Sequence, residues 1–175
     1  MKKTLFTFLI IITCYTILGN TLSNVEIPKE AIRIRVIANS NSTYDQSIKK
    51  EVKEFVEQNM YTLLQDTTEI TQAREKIKNE LPLLEKEIGF LLKSKNYPFS
   101  YEVNFGYNYF PEKEYKGITY EEGIYESLVI SLGEAKGDNW WCVLFPPLCL
   151  LEAEESTEVE YRSFVKEMID KYFLN

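Results

Sequence analysis

Apolar residues that recur at every second position predict four β-strands in this chain. In the first, Ala31–Ala38, isoleucine and valine alternate with Arg33 and Arg35, so the two arginines should face solvent. The other three strands come late in the chain and are joined by short connections. They are expected over Tyr101–Tyr109, Tyr125–Leu132 and Trp141–Phe145. The polar residues from Pro111 to Lys116 predict a loop.

Apolar residues at helical spacing fill the sequence between the first two strands. They predict an amphipathic helix over Thr43–Leu64, with Ser42 as its N-cap. The helical period continues from residue 69 to residue 95, but Pro82 interrupts it. A proline inside a helix clashes with the carbonyl group four residues before it. We therefore predict two helices here, Glu69–Glu80 and Pro82–Lys95.

The order of these elements predicts the fold class. A last helix is expected after an N-cap at Ser156 or Thr157, because apolar residues from Val159 to Phe173 share one helical face. One strand precedes a block of two to three helices, and three strands follow it. This order is typical of an α+β fold with a largely antiparallel sheet of about four strands and a C-terminal helix.

The amino terminus indicates export. Lys2 and Lys3 precede the uncharged stretch Leu5–Leu18, which is short for a membrane-spanning helix and matches a signal peptide. We expect residues 1–23 to be a signal peptide, or a membrane anchor if they are not cleaved. Residues 24–175 are then expected to form a single secreted α+β domain.

The charge balance narrows the class of partner. Residues 1–23 contain two lysines and no acidic residue, so residues 24–175 carry 27 acidic and 18 basic side chains, a net charge of −9. An acidic domain repels phosphate groups. Nucleic acid and anionic lipid are therefore disfavoured as partners, and a basic protein surface suits the chain better.

Catalytic chemistry is hard to assemble from this composition. The chain contains no histidine, which removes histidine-activated nucleophiles and the commonest zinc ligand. No metal, cofactor or small-molecule substrate is expected. Carboxylate pairs would still allow a secreted cell-wall hydrolase, but no spacing in the sequence marks such a pair. The chain is predicted not to be an enzyme. The alternatives are a secreted cell-wall hydrolase and a peptidoglycan-binding module.

Two cysteines, Cys142 and Cys149, remain once the leader with Cys14 is removed. Outside the cytoplasm this pair can form one disulfide, which would hold the Pro-Pro bend between them in one shape. The alternative is a pair of small buried thiols beside aromatic residues.

The segment around these cysteines is the candidate site. Trp140 and Trp141 are adjacent on a strand, so they should point to opposite faces. Either the strand is covered on both sides, or one tryptophan belongs to a partner-binding patch. That hypothetical patch consists of Trp140, Trp141, Phe145, Pro146 and Pro147. A second candidate surface comprises Asn39, Ser40 and Asn41, whose side chains are equally typical of loop and helix-cap chemistry.

Two blocks of the sequence resemble a known protein family. Residues 133–149, GEAKGDNWWCVLFPPLC, closely resemble the signature of the stage II sporulation protein R family. Residues 32–42, IRIRVIANSNS, followed by Asp45 and Gln46, resemble the amino-terminal block of that family. The similarity in element order extends over nearly everything from Ile27 onward.

The resemblance implies a developmental signal. Members of this family are made in the forespore of endospore-forming bacteria and exported into the intermembrane space of the sporulation septum. There they activate a membrane-embedded aspartic-type protease of the mother cell, which processes the precursor of sigma factor E. The family brings no established catalytic residues to carry over. The chain is accordingly expected to be a secreted signalling protein with that protease as its partner.

Overall fold

The computed structural model describes residues 27–150 and 157–174, so the predicted leader and the candidate N-cap Ser156 lie outside the described residues. The strands are β1 (Ile32–Ile37), β2 (Tyr101–Phe110), β3 (Lys113–Tyr115), β4 (Ile118–Tyr120), β5 (Gly123–Leu132) and β6 (Asn139–Phe145). The helices are α1 (Thr43–Leu64), α2 (Ile70–Ser94) and α3 (Glu158–Phe173), with a 3₁₀ turn at Leu148–Leu150.

Four strands form one sheet in the order β2-β5-β1-β6. β1 is antiparallel to β6, and β2 is antiparallel to β5, whereas the central pair of β1 and β5 is parallel. The predicted α+β fold with a largely antiparallel four-stranded sheet is therefore confirmed. A parallel neighbour requires a long crossover connection, and the chain between β1 and β5 supplies it with α1, α2 and β2.

Side-chain caps begin two of the helices. The Ser42 hydroxyl accepts a hydrogen bond from the backbone nitrogen of Asp45 at 3.1 Å, so the predicted N-cap of α1 is confirmed. Thr157 caps α3 in a capping box, in which the Glu160 carboxylate accepts the Thr157 backbone N–H at 2.8 Å.

The predicted break at Pro82 is wrong, because α2 runs without interruption from Ile70 to Ser94. Pro82 lies on the exposed side of the helix, as does Lys78, the residue whose carbonyl loses its helical partner. A carbonyl on the exposed side of a helix can hydrogen-bond to water instead. On the opposite side Ile77 and Leu84 are both buried, and an unbroken helix keeps them in one core.

The helices α1 and α2 cover one face of the sheet. Alternate residues of β1, namely Ile32, Ile34 and Val36, are fully buried there against apolar residues of both helices. Burial of each such side chain contributes about 2 kcal/mol to the free energy of unfolding. This is the face that the apolar positions of β1 predicted.

The other face of the sheet is also covered, which corrects the predicted solvent-facing side of β1. The β3–β4 hairpin and α3 contribute Tyr120 and Tyr161 to a second apolar cluster on that side. Arg33 is only 2% exposed, and Arg35 is half-buried. The alternation along β1 gives the two faces of the strand, but it carries no information on which distant segment covers each face.

The predicted loop from Pro111 to Lys116 is wrong in part, because it contains β3. That strand pairs with β4 across a two-residue turn at Lys116 and Gly117. Both turn residues have positive φ, +46° and +71°, which is the conformation that suits a tight hairpin. A strand of three residues is too short to show a two-residue period.

Candidate partner-binding site

β6 places both tryptophans on a strand at the edge of the sheet. Trp140 packs against the core under α1 and α2, whereas Trp141 packs against the cluster under the hairpin and α3. The prediction that the two indoles point to opposite faces is confirmed, and β6 is covered on both sides. Both residues are only half-buried, so part of each indole remains accessible.

Aromatic rings fix the position of Trp141. Its ring centroid lies 4.7 Å from that of Tyr120 with an interplanar angle of 80°. The ring of Phe110 lies 6.4 Å away, also edge to face. Contacts of this kind contribute about 1 kcal/mol each beyond the buried area. Trp141 is therefore held in a defined orientation.

A lysine accompanies each indole. The Lys53 ammonium nitrogen lies 5.2 Å from the ring centroid of Trp140, and that of Lys113 lies 5.6 Å from Trp141. Lys53 also pairs with Glu57 at 3.3 Å. The sequence pattern does not indicate either lysine, because only the fold brings α1 and the hairpin to the edge strand. Their charge adds a local positive potential to an acidic chain.

The Pro-Pro bend is mostly internal. Phe145 is 1% exposed, and its ring centroid lies 5.1 Å from that of Tyr172 on α3. Pro146 is buried and Pro147 is half-buried. Phe145 and Pro146 therefore lie in the interior and are not open to a partner. The accessible members of the hypothetical patch are Trp140, Trp141 and Pro147. Contact of this patch with a partner stays a prediction.

A small apolar cavity lies beside this bend. It has a volume of about 30 Å³, and its lining includes Pro147, Cys149 and, on α1, Met60 and Leu64. Glu57 also lines it, and burial raises the pKa of that carboxyl. A volume of this size holds about two water molecules. The cavity therefore suits the tip of a side chain better than a small-molecule substrate.

The second candidate surface makes hydrogen bonds within the molecule. Asn39 donates from Nδ2 to the Asp45 carboxylate at 3.0 Å and accepts the backbone N–H of Glu134 at 2.9 Å. The Asn41 side-chain oxygen accepts the backbone N–H of Asp138 at 2.6 Å. We call this contact between residues 39–45 and 133–138 the loop junction. It holds Asp138 directly before β6 and so positions the tryptophan strand.

Asp45 is the buried acceptor of the loop junction. The Ser40 hydroxyl donates to its carboxylate at 2.5 Å, and Asp45 itself is 4% exposed. Burial alone would raise the pKa of Asp45, but hydrogen bonds involving Ser40, Asn39 and Ser42 outweigh it and lower the pKa below its usual value. These bonds favour the loop and cap interpretation of Asn39 and Ser40. Their contact with a partner stays a prediction.

The absence of a side chain at Gly137 allows the loop junction to close. A Cβ atom at this position would collide with the backbone carbonyl of Ser40. The backbone nitrogen of Gly137 donates to the carbonyl oxygen of Ala38 at 2.9 Å. The close approach of the two loops therefore requires glycine here.

Comparison with known proteins identifies the family. A family profile described as Stage II sporulation protein R matches residues 28–155. The chain belongs to the stage II sporulation protein R family. Stage II sporulation protein R of Bacillus subtilis (strain 168) is 38% identical over 136 residues, which are 78% of this chain and 61% of the relative. The chain therefore spans less than two thirds of that relative's length. No solved structure matches.

The match to the stage II sporulation protein R family covers the candidate site. Residues 28–155 contain all the strands described above, α1, α2, the loop junction and the segment from Trp140 to Cys149. Helix α3 begins at Glu158, beyond the matched residues. Within residues 27–150 and 157–174, none of the helices combines the length and the apolar composition needed to cross a bilayer.

The cysteines lie on either side of the Pro-Pro bend, and both are free thiols in this structure. The sulfur of Cys149 lies 3.0 Å from the carbonyl oxygen of Val143, and the sulfur of Cys142 lies 3.7 Å from the same oxygen. Burial raises the pKa of the Cys149 thiol well above its usual value, which suppresses thiolate reactivity. The disulfide is not formed here, and it stays a prediction for the exported protein.

Oxidation of this cysteine pair should stabilise the exported chain. A closed loop this short reduces the entropy of the unfolded chain enough to add about 2.5 kcal/mol to the free energy of unfolding. Urea unfolding with and without reductant measures the difference, and Cys142→Ser should abolish it. Equal stability of the wild-type chain in both conditions, with no change of mass on oxidation, would contradict the disulfide.

Proposed function

We propose that this chain is a secreted intercellular signalling protein that passes from the forespore toward the mother cell. In the intermembrane space of the sporulation septum, it activates a membrane-embedded aspartic-type protease that processes the precursor of sigma factor E. Membership of the stage II sporulation protein R family supports this role. The leader predicted at residues 1–23 supports export.

The observation that carries the proposal is the pair of half-buried tryptophans on the edge strand β6. Each indole is held in place from one side and accessible on another. Rigid aromatic side chains contribute large contact areas and lose little conformational entropy on binding. Together with Pro147 they present preorganised aromatic surface on the two sides of the edge strand, which is suited to recognition of another protein.

The charges around this surface support a protein partner. Lys53 and Lys113 lie next to the two indoles, in a chain whose net charge is −7. A receptor surface with acidic side chains opposite these lysines would be attracted locally, although the chain is acidic as a whole. Binding should therefore weaken as the salt concentration rises.

To activate the protease, the chain must bind the active state of the protease more tightly than its inactive state. A ligand shifts an equilibrium only by as much as it prefers one state. A change from mostly inactive to mostly active takes about 5 kcal/mol of preference. Burial of the accessible parts of both indoles against the protease would supply a contribution of this size, because a few large aromatic contacts dominate the binding energy of most interfaces.

Co-expression in a non-sporulating bacterium tests the proposal. The host would make the full chain, the membrane-embedded protease and the sigma factor E precursor, and immunoblotting would follow shortening of the precursor. We expect shortening only when all three proteins are present and the chain carries residues 1–23. Trp140→Ala and Trp141→Ala should each reduce shortening at least tenfold, the effect of losing a contact worth about 1.4 kcal/mol or more.

Controls separate the proposal from its alternatives. Phe90→Ala removes an aromatic residue that is 61% exposed on α2, and it should leave processing unchanged. Circular dichroism must show that each tryptophan variant is folded. Normal processing with both tryptophan variants would contradict a role for the tryptophan surface. The absence of processing with the wild-type chain would contradict the proposed function itself. Release of fragments from purified peptidoglycan would indicate the cell-wall hydrolase instead. Co-sedimentation of the chain with peptidoglycan would indicate a binding module.

A further inference from the structure

Arg33 carries a buried charge in an aromatic environment. Its guanidinium carbon lies 3.3 Å from the ring centroid of Tyr125 and 5.4 Å from that of Phe110. The Nε and Nη1 atoms of Arg33 have no hydrogen-bond partner in the described part of the chain. Stacking on aromatic rings offsets only a part of the cost of removing a guanidinium group from water. Two donors of this buried guanidinium group are therefore left without an acceptor from the described residues.

A small pocket borders the Arg33 side chain. Its volume is about 10 Å³, which is enough for one water-sized group. The buried residues that line it are Ile27, Arg33, Tyr120 and Tyr125, and the exposed ones are Lys29, Thr119 and Glu121. A buried guanidinium group therefore borders a space that is reached between exposed polar side chains.

We propose that this Arg33 pocket binds a carboxylate group of a peptide. A guanidinium group matches the geometry of a carboxylate, and the exposed Lys29 adds a second positive charge. The volume admits one oxygen of the carboxylate, and the rest of the group lies at the mouth of the pocket. Glu121 also lines the pocket, and its negative charge repels dianions such as phosphate and sulfate more strongly than a carboxylate, which carries a single charge.

The position of the pocket favours a peptide over a free ion. The guanidinium carbon of Arg33 lies 5.9 Å from the ring centroid of Trp141, whose indole is half-buried on the same side of the sheet. A peptide whose carboxylate enters the pocket therefore also lies close to Trp141. The inference concerns binding alone, and it stands whether or not the chain activates a protease.

Nuclear magnetic resonance of the full chain tests the inference. The probes are N-acetylglycine, which carries a terminal carboxylate, and N-acetylaspartate with an amidated α-carboxyl, which carries a side-chain carboxylate. At least one should shift the Nε–H signal of Arg33 saturably and raise the melting temperature by about 4 °C at ten times its dissociation constant. Tighter binding of N-acetylglycine would identify a chain terminus as the ligand, and tighter binding of the aspartate probe would identify an acidic side chain.

The neutral N-acetylglycinamide and sodium chloride at matched ionic strength should leave the Arg33 signal in place. Lys29→Ala should weaken carboxylate binding about threefold, and Lys78→Ala, an exposed lysine on α2, should not. A folded Arg33→Met variant should no longer bind either carboxylate. If this variant does not fold, the comparison of Lys29→Ala with Lys78→Ala tests the inference. No response to either carboxylate, or an equal response to chloride or N-acetylglycinamide, would overturn the inference.

Discussion

Arg74→Met should lower the free energy of unfolding by about 3 kcal/mol, because it leaves the carboxylate of Glu126 buried without a counter-ion. Arg74 on α2 donates from Nε and Nη2 to the Glu126 carboxylate on β5, with distances of 2.7 to 2.9 Å. Glu126 is 7% exposed. These hydrogen bonds raise the pKa of the Arg74 guanidinium group. Urea unfolding followed by circular dichroism measures the loss.

Two further variants make this expectation specific. Arg74→Met combined with Glu126→Leu should regain most of the lost stability, because no charge is then left in the protein interior. Lys50→Met breaks the exposed pair of Lys50 and Glu54, in which the side chains are 74% and 57% exposed, and it should cost less than about 0.5 kcal/mol. An equal loss in the single and double variants would mean that packing, and not the ion pair, determines the effect.

Asp45→Ala should also lower the free energy of unfolding by about 3 kcal/mol, because it removes the shared acceptor of two charge-assisted hydrogen bonds. The side chains of Asn39 and Ser40 would keep their donors but lose the carboxylate. Asp45→Asn keeps one acceptor without the charge and should lose about half as much. Asp66→Asn, at an exposed aspartate after α1, is the matched control and should change little.

The stability contributed by Asp45 should depend on pH. Its pKa is lower in the folded state than in the unfolded chain, where it is about 4. The unfolded chain therefore binds the proton first as the pH falls, and the stabilisation, complete above about pH 4, is lost as the pH falls through the folded-state pKa. The difference in unfolding free energy between wild type and Asp45→Asn should shrink between pH 6 and pH 2. A difference that stays constant over this range would contradict the proposed role of the charge.

These two expectations concern the sheet and the loop that precedes the tryptophan strand. The ion pair joins α2 to the sheet, and the loop junction holds the residue directly before β6. Loss of the ion pair should lower the stability of the whole fold, and loss of the loop junction should also loosen the start of β6, which carries Trp140 and Trp141. Variants of Arg74 and Asp45 are therefore expected to affect processing through stability, whereas the tryptophan variants should affect it while the chain stays folded.

The candidate site could be predicted from the sequence only where neighbouring residues decide the outcome. Adjacent residues on a strand point to opposite faces, so the arrangement of Trp140 and Trp141 followed from their order alone. The capping role of Ser42 followed in the same way from its position before α1. The lysines beside the indoles could not be found, because Lys53 and Lys113 reach them only through the packing of separate elements.

The sequence by itself determined the elements that depend on period and on local chemistry: β1, α1, β5, the strand with both tryptophans and the capped C-terminal helix. Only the tertiary structure decided that β1 lies parallel to β5, that α2 continues through Pro82 and that Arg33 is buried. Each of these outcomes depends on what a distant segment covers or leaves open to water. The free energy of burial comes from those long-range contacts, and the pattern along a single strand or helix does not contain them.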